Sequence, residues 1–368
     1  MIDSPEFSAQ SQMPIMNQEP ESYRHSDVEV ITFTESQAAK LETAAVEIGK
    51  LGGPQVRGAK SSALQFAAEI TETFTAQQSA VARRFANGEI SLLIFKGMLD
   101  TTENDLPAEL PELSVLEQDF NCVRLASRSQ ILLNIVKHRV FAFDLDNSEL
   151  VRWVGNFKGG GKTKLKNEPA PGTVELSSHT GVTLSAHTEP PYNCSFKSSG
   201  SHSPAPCALV LTARWNPKDE PTIVVPIHKI IERIGTHNAL ALTAKAFKFT
   251  RTDSFVAGKG GDGCNVSILD IDSKGTFSLR YNSYRFSVND DAAPPIKSAF
   301  QLLTEEVRRA EMVQTPLQPS TAIVINNHKA LHCRDAIEDN RRLLIRMFGY
   351  SPGAQEIALS DDPLLVQG

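Results

Sequence analysis

The spacing of hydrophobic and polar positions changes near the middle of the chain. In the N-terminal third, apolar residues recur at helical spacing over residues 35–51, 61–87 and 118–136, and a capping box begins at Thr34. From about Thr173 onward, short apolar or alternating runs separated by turn residues are typical of β-strands. The pattern therefore predicts an α+β protein with an α-rich N-terminal third.

The C-terminal part of the chain supplies the strands that carry candidate chemistry. One predicted strand ends on His187-Thr188-Glu189. A hairpin is predicted within 265–282, and two short helices within 227–245. Further strands are predicted at 90–97, 207–215, 220–226, 321–327 and 342–350, and a helix at 292–311.

His187 and Glu189 are two residues apart on a predicted strand, so both side chains project to the same side. His332 adds a second imidazole from a distant part of the chain, and His328 is the alternative for that role. Two histidines and one carboxylate form a facial set that suits non-haem Fe(II) and leaves coordination positions open. We therefore expect an iron site at His187, Glu189 and His332.

Arg346 lies in the middle of an otherwise apolar strand. An unpaired charge would be costly to bury there. Its guanidinium stays protonated and can bind a carboxylate through two parallel hydrogen bonds. A structural Asp or Glu is one possible partner, and the carboxylate of a dicarboxylate cosubstrate is the other. We predict the cosubstrate.

Two segments carry a family resemblance. The HTE of residues 187–189 and the segment INNHKALHCRDAIEDNRRLLIRMFGY (325–350) resemble the Fe(II)- and 2-oxoglutarate-dependent dioxygenases of the clavaminate synthase-like and taurine dioxygenase group. In that family an Asn-containing strand leads to a metal histidine, and an arginine follows on the next strand. The resemblance extends from about residue 90 to residue 350.

This resemblance implies a fold, a cofactor and a reaction. The fold is a double-stranded β-helix, or jelly roll, flanked by helices. Fe(II) is the metal, 2-oxoglutarate is the cosubstrate, and O2 is consumed with release of succinate and CO2. The resemblance also implies that Thr222 helps Arg346 to hold 2-oxoglutarate. Because Glu189 is retained where related halogenases carry a small residue, hydroxylation, desaturation or ring closure is favoured over halogenation.

The resemblance further implies a free or modified amino acid, or a related small molecule, as the substrate, in natural-product biosynthesis. Ser177 stands ten residues before the first metal histidine, where the family uses a serine to contact the substrate, and Ser178 is adjacent. Where hydroxylases of basic amino acids carry aspartates, this chain has Asn282 and Arg285, which favours a neutral or acidic substrate.

One departure from the family pattern concerns the substrate carboxylate. Family members often bind it with a second arginine four residues after the cosubstrate arginine. This chain has Tyr350 at that position instead, four residues after Arg346. The sequence alone therefore leaves the anchor of the substrate carboxylate open.

Composition narrows the class of protein and its partners. The 368 residues are 40% hydrophobic and 22% charged with a net charge of −6, and the basic residues are scattered, so no nucleic-acid surface is expected. No apolar run is long enough to cross a membrane. Five cysteines without a C-x-x-C pair indicate reduced thiols and a cytoplasmic protein. We expect a flexible lead-in over residues 1–27 and a single oxygenase domain over residues 28–368.

Two alternative functions remain at this stage, and one motif is set aside. A non-catalytic jelly-roll protein could bind a metal or a small acid with the same residues, and a hydrolase could hold zinc there. The segment KGGGKTKLK (158–166) contains Gly-Lys-Thr, but Asn156 stands where a phosphate-binding loop needs its first glycine. We interpret that segment as a solvated basic loop.

Overall fold

The computed structural model describes residues 27–100, 105–146, 149–157, 183–250, 262–272 and 274–368. Several predictions fall outside these residues: the lead-in up to residue 26, the Gly/Lys-rich segment 158–166, the strand near residue 175, and the substrate serines Ser177 and Ser178.

Seven α-helices occur in the described residues. The first begins after Thr34, whose side chain accepts the Gln37 N–H in the predicted capping box. The single helix predicted over 61–87 is wrong: a second capping box, Thr75 with Gln78, starts a separate helix there. The helices are α1 (Glu35–Leu51), α2 (Ala59–Thr71), α3 (Ala76–Ala86), α4 (Leu113–Leu116), α5 (Phe120–Ile135), α6 (His228–Ala241) and α7 (Pro294–Arg309).

Helix α6 corresponds to the two short helices predicted within 227–245. It is interrupted at Gly235, whose φ of 75° lies in the left-handed region that glycine tolerates. Across the described ranges, no helix combines the length and the apolar character needed to cross a bilayer.

The described β-strands form four sheets, and each predicted strand within the described ranges contains an observed one. The strands are β1 (Val28–Thr32), β2 (Leu92–Lys96), β3 (Arg139–Phe143), β4 (Arg152–Gly155), β5 (Leu184–His187), β6 (Ala208–Trp215), β7 (Pro221–Pro226), β8 (Phe247–Phe249), β9 (Gly263–Val266), β10 (Leu269–Ile271), β11 (Phe277–Leu279), β12 (Phe286–Val288), β13 (Val313–Pro316), β14 (Ala322–Asn326), β15 (Ala330–Arg334), β16 (Leu343–Tyr350), β17 (Ala358–Asp361) and β18 (Leu364–Val366).

Two sheets build the body of the molecule. The larger has nine strands in the order β1-β2-β14-β6-β16-β3-β18-β17, with β4 also paired to β16. The smaller has the order β13-β7-β15-β5. Two minor sheets pair β10 with β11 and place β8 between β12 and β9. The predicted hairpin within 265–282 is the β10–β11 pair.

Strand β16 shows how the layers are arranged. Leu344 and Phe348 belong to an apolar core that also contains Val224 and Ala330 of the smaller sheet. Ile345 and Met347 point the other way, into a core shared with helices α1, α2 and α5. Because side chains alternate along a strand, the large sheet is covered by helices on one face and shares a core with the small sheet on the other. The fold is therefore α+β, as predicted.

We expect buried neutral histidines to make the metal-free protein sensitive to acid. Burial lowers the pKa of His138 to about 4 and, together with nearby Lys329, that of His328 to about 3. Their ordinary value is about 6.5, so below it the unfolded chain binds more protons than the folded one. The free energy of unfolding should therefore fall as the pH drops from 6.5 to 4.

The variant His328→Leu tests this expectation. The variant lacks one of the two histidines that take up a proton on unfolding. Between pH 6.5 and 4, its free energy of unfolding, measured by urea titration with circular dichroism, should therefore fall by on the order of 2 kcal/mol less than that of the wild type. A variant whose pH dependence matches that of the wild type would contradict this account.

Candidate metal centre

Strands β5 and β15 bring the two predicted histidines together. His332 pairs directly with His187 across the antiparallel strands, and their ring centroids are 4.2 Å apart. Glu189 lies two residues beyond the end of β5, and its Oε1 is 3.3 Å from His332 Nε2. One ligand atom from each of the three residues lies within 4.8 Å of the others, and all three side chains are buried. His328 is not part of this cluster.

The protonation states of the cluster suit a metal ion. Nδ1 of His187 is 2.7 Å from the Ser185 carbonyl oxygen, so that nitrogen donates and leaves the Nε2 lone pair for a metal. Burial, together with neighbouring His332, lowers the pKa of His187 to about 3. Burial opposes ionisation of Glu189, but the Arg346 guanidinium and the hydrogen bond from His332 outweigh it, and the pKa falls well below its usual range. A neutral imidazole and an ionised carboxylate are the states that bind metals.

The donor set therefore fits a divalent metal with open coordination positions. Two imidazole nitrogens and one carboxylate oxygen converge from one side, as non-haem iron sites require. Nδ1 of His332 is buried without a hydrogen-bond partner among the described residues, whereas its Nε2 lies 3.3 Å from Glu189 Oε1.

Arg346 lies beside this cluster. Its Nη1 donates to Glu189 Oε1, and its Cζ is 4.7 Å from the Phe348 ring centroid. The Thr222 hydroxyl accepts a hydrogen bond of 3.3 Å from Nη2 of Arg342. The joint role of Arg346 and Thr222 in holding 2-oxoglutarate stays a prediction, and Arg342 is a second candidate partner for Thr222.

Strand geometry relates the two arginines. Arg342 and Arg346 are four residues apart, so both project to the same face while lying roughly 13 Å apart along the chain. Arg342, just before the start of β16, reaches the beginning of β7, where Thr222 lies. Four residues is also the spacing that the family resemblance gives to the cosubstrate arginine and the substrate arginine.

Arg342 and Thr222 form a buried cationic pocket. Burial and the neighbouring Arg334 lower the pKa of Arg342 to about 10, so it remains charged at neutral pH. Glu220 Oε2 lies 4.0 Å from Arg342 Nε, and Glu220 Oε1 accepts two backbone N–H groups. Arg342 and the Thr222 hydroxyl therefore offer a buried positive charge and a hydroxyl group to an anion.

The predicted substrate residue Asn282 lies next to the cluster, and its role in substrate binding stays a prediction. Its backbone bridges to His187, and its Oδ1 accepts the N–H groups of Tyr284 and Arg285. Its Nδ2 donates to the Tyr192 hydroxyl at 3.4 Å. Asn282 therefore holds the turn that carries Arg285, whose side chain is buried.

Sequence reasoning missed two residues at this centre. Arg342 had a signal, because its even spacing from Arg346 places both on one strand face. Asn327 had none, because its side chain contacts the backbone of Glu189, 138 residues away along the chain.

Comparison with known proteins identifies the fold. No family model and no curated protein sequence matches the chain. Asparagine oxygenase, crystallised with Fe(II), 2S,3S-3-hydroxyasparagine and succinate, superposes with a TM-score of 0.65 at 16% identity, over 92% of this chain and 99% of that one. OrfP, a non-heme iron oxygenase in complex with Fe and alpha-ketoglutaric acid, gives 0.65 at 15% identity over 88% and 94%. A complex of OrfP with Fe, succinate and (3S)-hydroxy-L-Arg gives the same values.

The chain has the fold of the non-haem iron oxygenases, which confirms the family resemblance at the level of the fold. In particular, it is similar to asparagine oxygenase and to OrfP over nearly the whole length of each.

We expect the cluster to bind one divalent metal ion per chain. His332→Ala removes a ligand, and His328→Leu changes a buried histidine four residues earlier that lies outside the cluster. Anaerobic titration with Co(II), followed by its visible absorption, should show affinity reduced by more than about 100-fold in His332→Ala, beyond the loss usual for outer-shell changes. His328→Leu should bind Co(II) like the wild type. A larger loss of affinity in His328→Leu than in His332→Ala would place the metal elsewhere.

Proposed function

We propose that the protein is an Fe(II)- and 2-oxoglutarate-dependent oxygenase that hydroxylates a free amino acid or a closely related small molecule. The observation that carries the proposal is the convergence of His187, Glu189 and His332 in a buried cluster flanked by Arg342 and Arg346. The two sheets that share a core would be the two halves of a double-stranded β-helix.

The choice of iron rests on the fold neighbours. Two histidines and one glutamate also bind zinc in hydrolases, so the donor types alone do not select the metal. The neighbouring structures contain iron, together with succinate or alpha-ketoglutaric acid. When bound, Fe(II) supplies the open positions at which 2-oxoglutarate and O2 react to give succinate, CO2 and an oxidised substrate.

The pocket at Thr222 matches the length of 2-oxoglutarate. Thr222 is two residues from Val224, which pairs with His332, so Thr222 lies on the same face of the sheet, diagonally across from His332 and roughly 7–8 Å from it. The two carboxyl carbons of 2-oxoglutarate are roughly 5 Å apart, from four bonds of about 1.5 Å. A cosubstrate held at the metal by one end would therefore place its far carboxylate at Thr222 and Arg342.

Arg346 then has a different task. One of its N–H groups binds the Glu189 carboxylate and keeps that ligand ionised. Arginine has five N–H donors, so one guanidinium can bind two carboxylates at once. We assign Arg346 to the carboxylate of the amino-acid substrate.

A neutral or acidic amino acid is the proposed substrate class. The fold neighbours were crystallised with hydroxyasparagine and with hydroxyarginine, so the fold accommodates both polar and basic substrates. In this chain the turn beside His187 carries the buried Arg285, which would repel a guanidinium or an ammonium group.

A titration with 2-oxoglutarate should distinguish the roles of the two arginines. Anaerobic Fe(II) protein should develop a weak visible charge-transfer band with 2-oxoglutarate. Lysine cannot reproduce a bidentate contact, so Arg342→Lys should raise the Kd of 2-oxoglutarate by roughly tenfold or more. The matched variant Arg346→Lys should change it by less than about threefold. A larger increase in this Kd for Arg346→Lys than for Arg342→Lys would instead support Arg346 as the cosubstrate arginine, as the sequence predicts.

Turnover tests the reaction itself. With Fe(II), 2-oxoglutarate and O2, the protein should release succinate faster in the presence of asparagine, aspartate, glutamine or glutamate than with arginine or lysine. Arg346→Lys should raise the KM for the amino acid more than it lowers kcat, because it removes part of a binding contact. Succinate release that no amino acid stimulates would contradict the proposed substrate class.

A further inference from the structure

Asn327 has an unusual position relative to the candidate metal centre. It lies in the turn between β14 and β15 and is 1% exposed. Its Oδ1 accepts the backbone N–H of Glu189 at 2.7 Å. Its Nδ2 donates to the backbone carbonyl of Glu189 at 3.3 Å and to that of Pro206 at 2.9 Å. One buried amide thus binds both backbone polar groups of a candidate metal ligand.

Glu189 depends on this contact because it lies outside the sheet. Strand β5 ends at His187, so the regular ladder of hydrogen bonds does not extend to Glu189. The Asn327 amide takes the place of a neighbouring strand there, since it offers one acceptor and one donor to the same residue.

The residue between the two ligands is anchored from another element. Thr188 donates its backbone N–H to the Tyr281 carbonyl at 2.7 Å, and its hydroxyl accepts the Tyr281 N–H at 3.1 Å. The backbone leading to Glu189 is therefore fixed by Tyr281, while the backbone of Glu189 itself is fixed by Asn327.

We propose that Asn327 is a positioning residue that sets the direction of the Glu189 carboxylate relative to His332. It is suited to this role because it stands five residues before His332 in the turn that leads into β15, so one short segment carries a metal ligand and the contact that orients another. This inference rests on the proposed function, in that Glu189 and His332 are taken to bind the metal.

The test compares two adjacent buried asparagines. Asn327→Ala removes the contacts to Glu189, whereas Asn326→Ala removes contacts to Ile90 and His328 only. Anaerobic Co(II) titration should show affinity reduced by roughly 10- to 100-fold in Asn327→Ala, with altered intensity of the cobalt absorption bands. Asn326→Ala should stay within about threefold of the wild type. Thermal unfolding of the metal-free proteins reports any general loss of stability in both variants.

The outcomes separate the inference from the proposed function. A wild type that does not bind Co(II) overturns the metal site and this role with it. A wild type that binds while Asn327→Ala binds equally well overturns the role alone, and so does an equal loss in both asparagine variants. If Asn327→Ala does not fold, Asn327→Ser, which leaves a smaller cavity, takes its place with the same expected loss.

Discussion

The pairing of β15 with β5 is the constraint on which the rest of the site depends. It sets His332 directly opposite His187, and β7 on the other side of β15 sets Thr222 at a fixed distance along the same face. A slip of one residue would turn every side chain of β15 to the opposite face. The apolar core shared by the two sheets opposes such a slip, because Ala330 would leave it.

The charged residues around the metal cluster act together with strand pairing. Glu189 is ionised although it is buried, because Arg346 and His332 contact it, and burial keeps the neighbouring His187 neutral. Arg342 lies just before β16 and Arg346 lies within it. We propose that the cosubstrate binds toward Arg342 and the amino acid toward Arg346, with the metal between them.

Much of this arrangement could be predicted from the sequence, because it depends on the two-residue period of side chains in a strand and on the order of the motifs along the chain. The two-residue spacing of His187 and Glu189 and the apolar strand around Arg346 are local signals. Which arginine contacts Thr222 cannot be read from local spacing, because Arg342 and Thr222 are 120 residues apart along the chain. The role of Asn327 depends on a contact across 138 residues, and the capping box at Thr75 divides what looked like one helix.

A crystal structure with Mn(II) and 2-oxoglutarate under anaerobic conditions tests the central claim most directly. The account predicts an anomalous peak bounded by His187, Glu189 and His332, with the far carboxylate of 2-oxoglutarate bound by Arg342 and Thr222. A peak at another site, or a 2-oxoglutarate carboxylate bound by Arg346 instead, would contradict it.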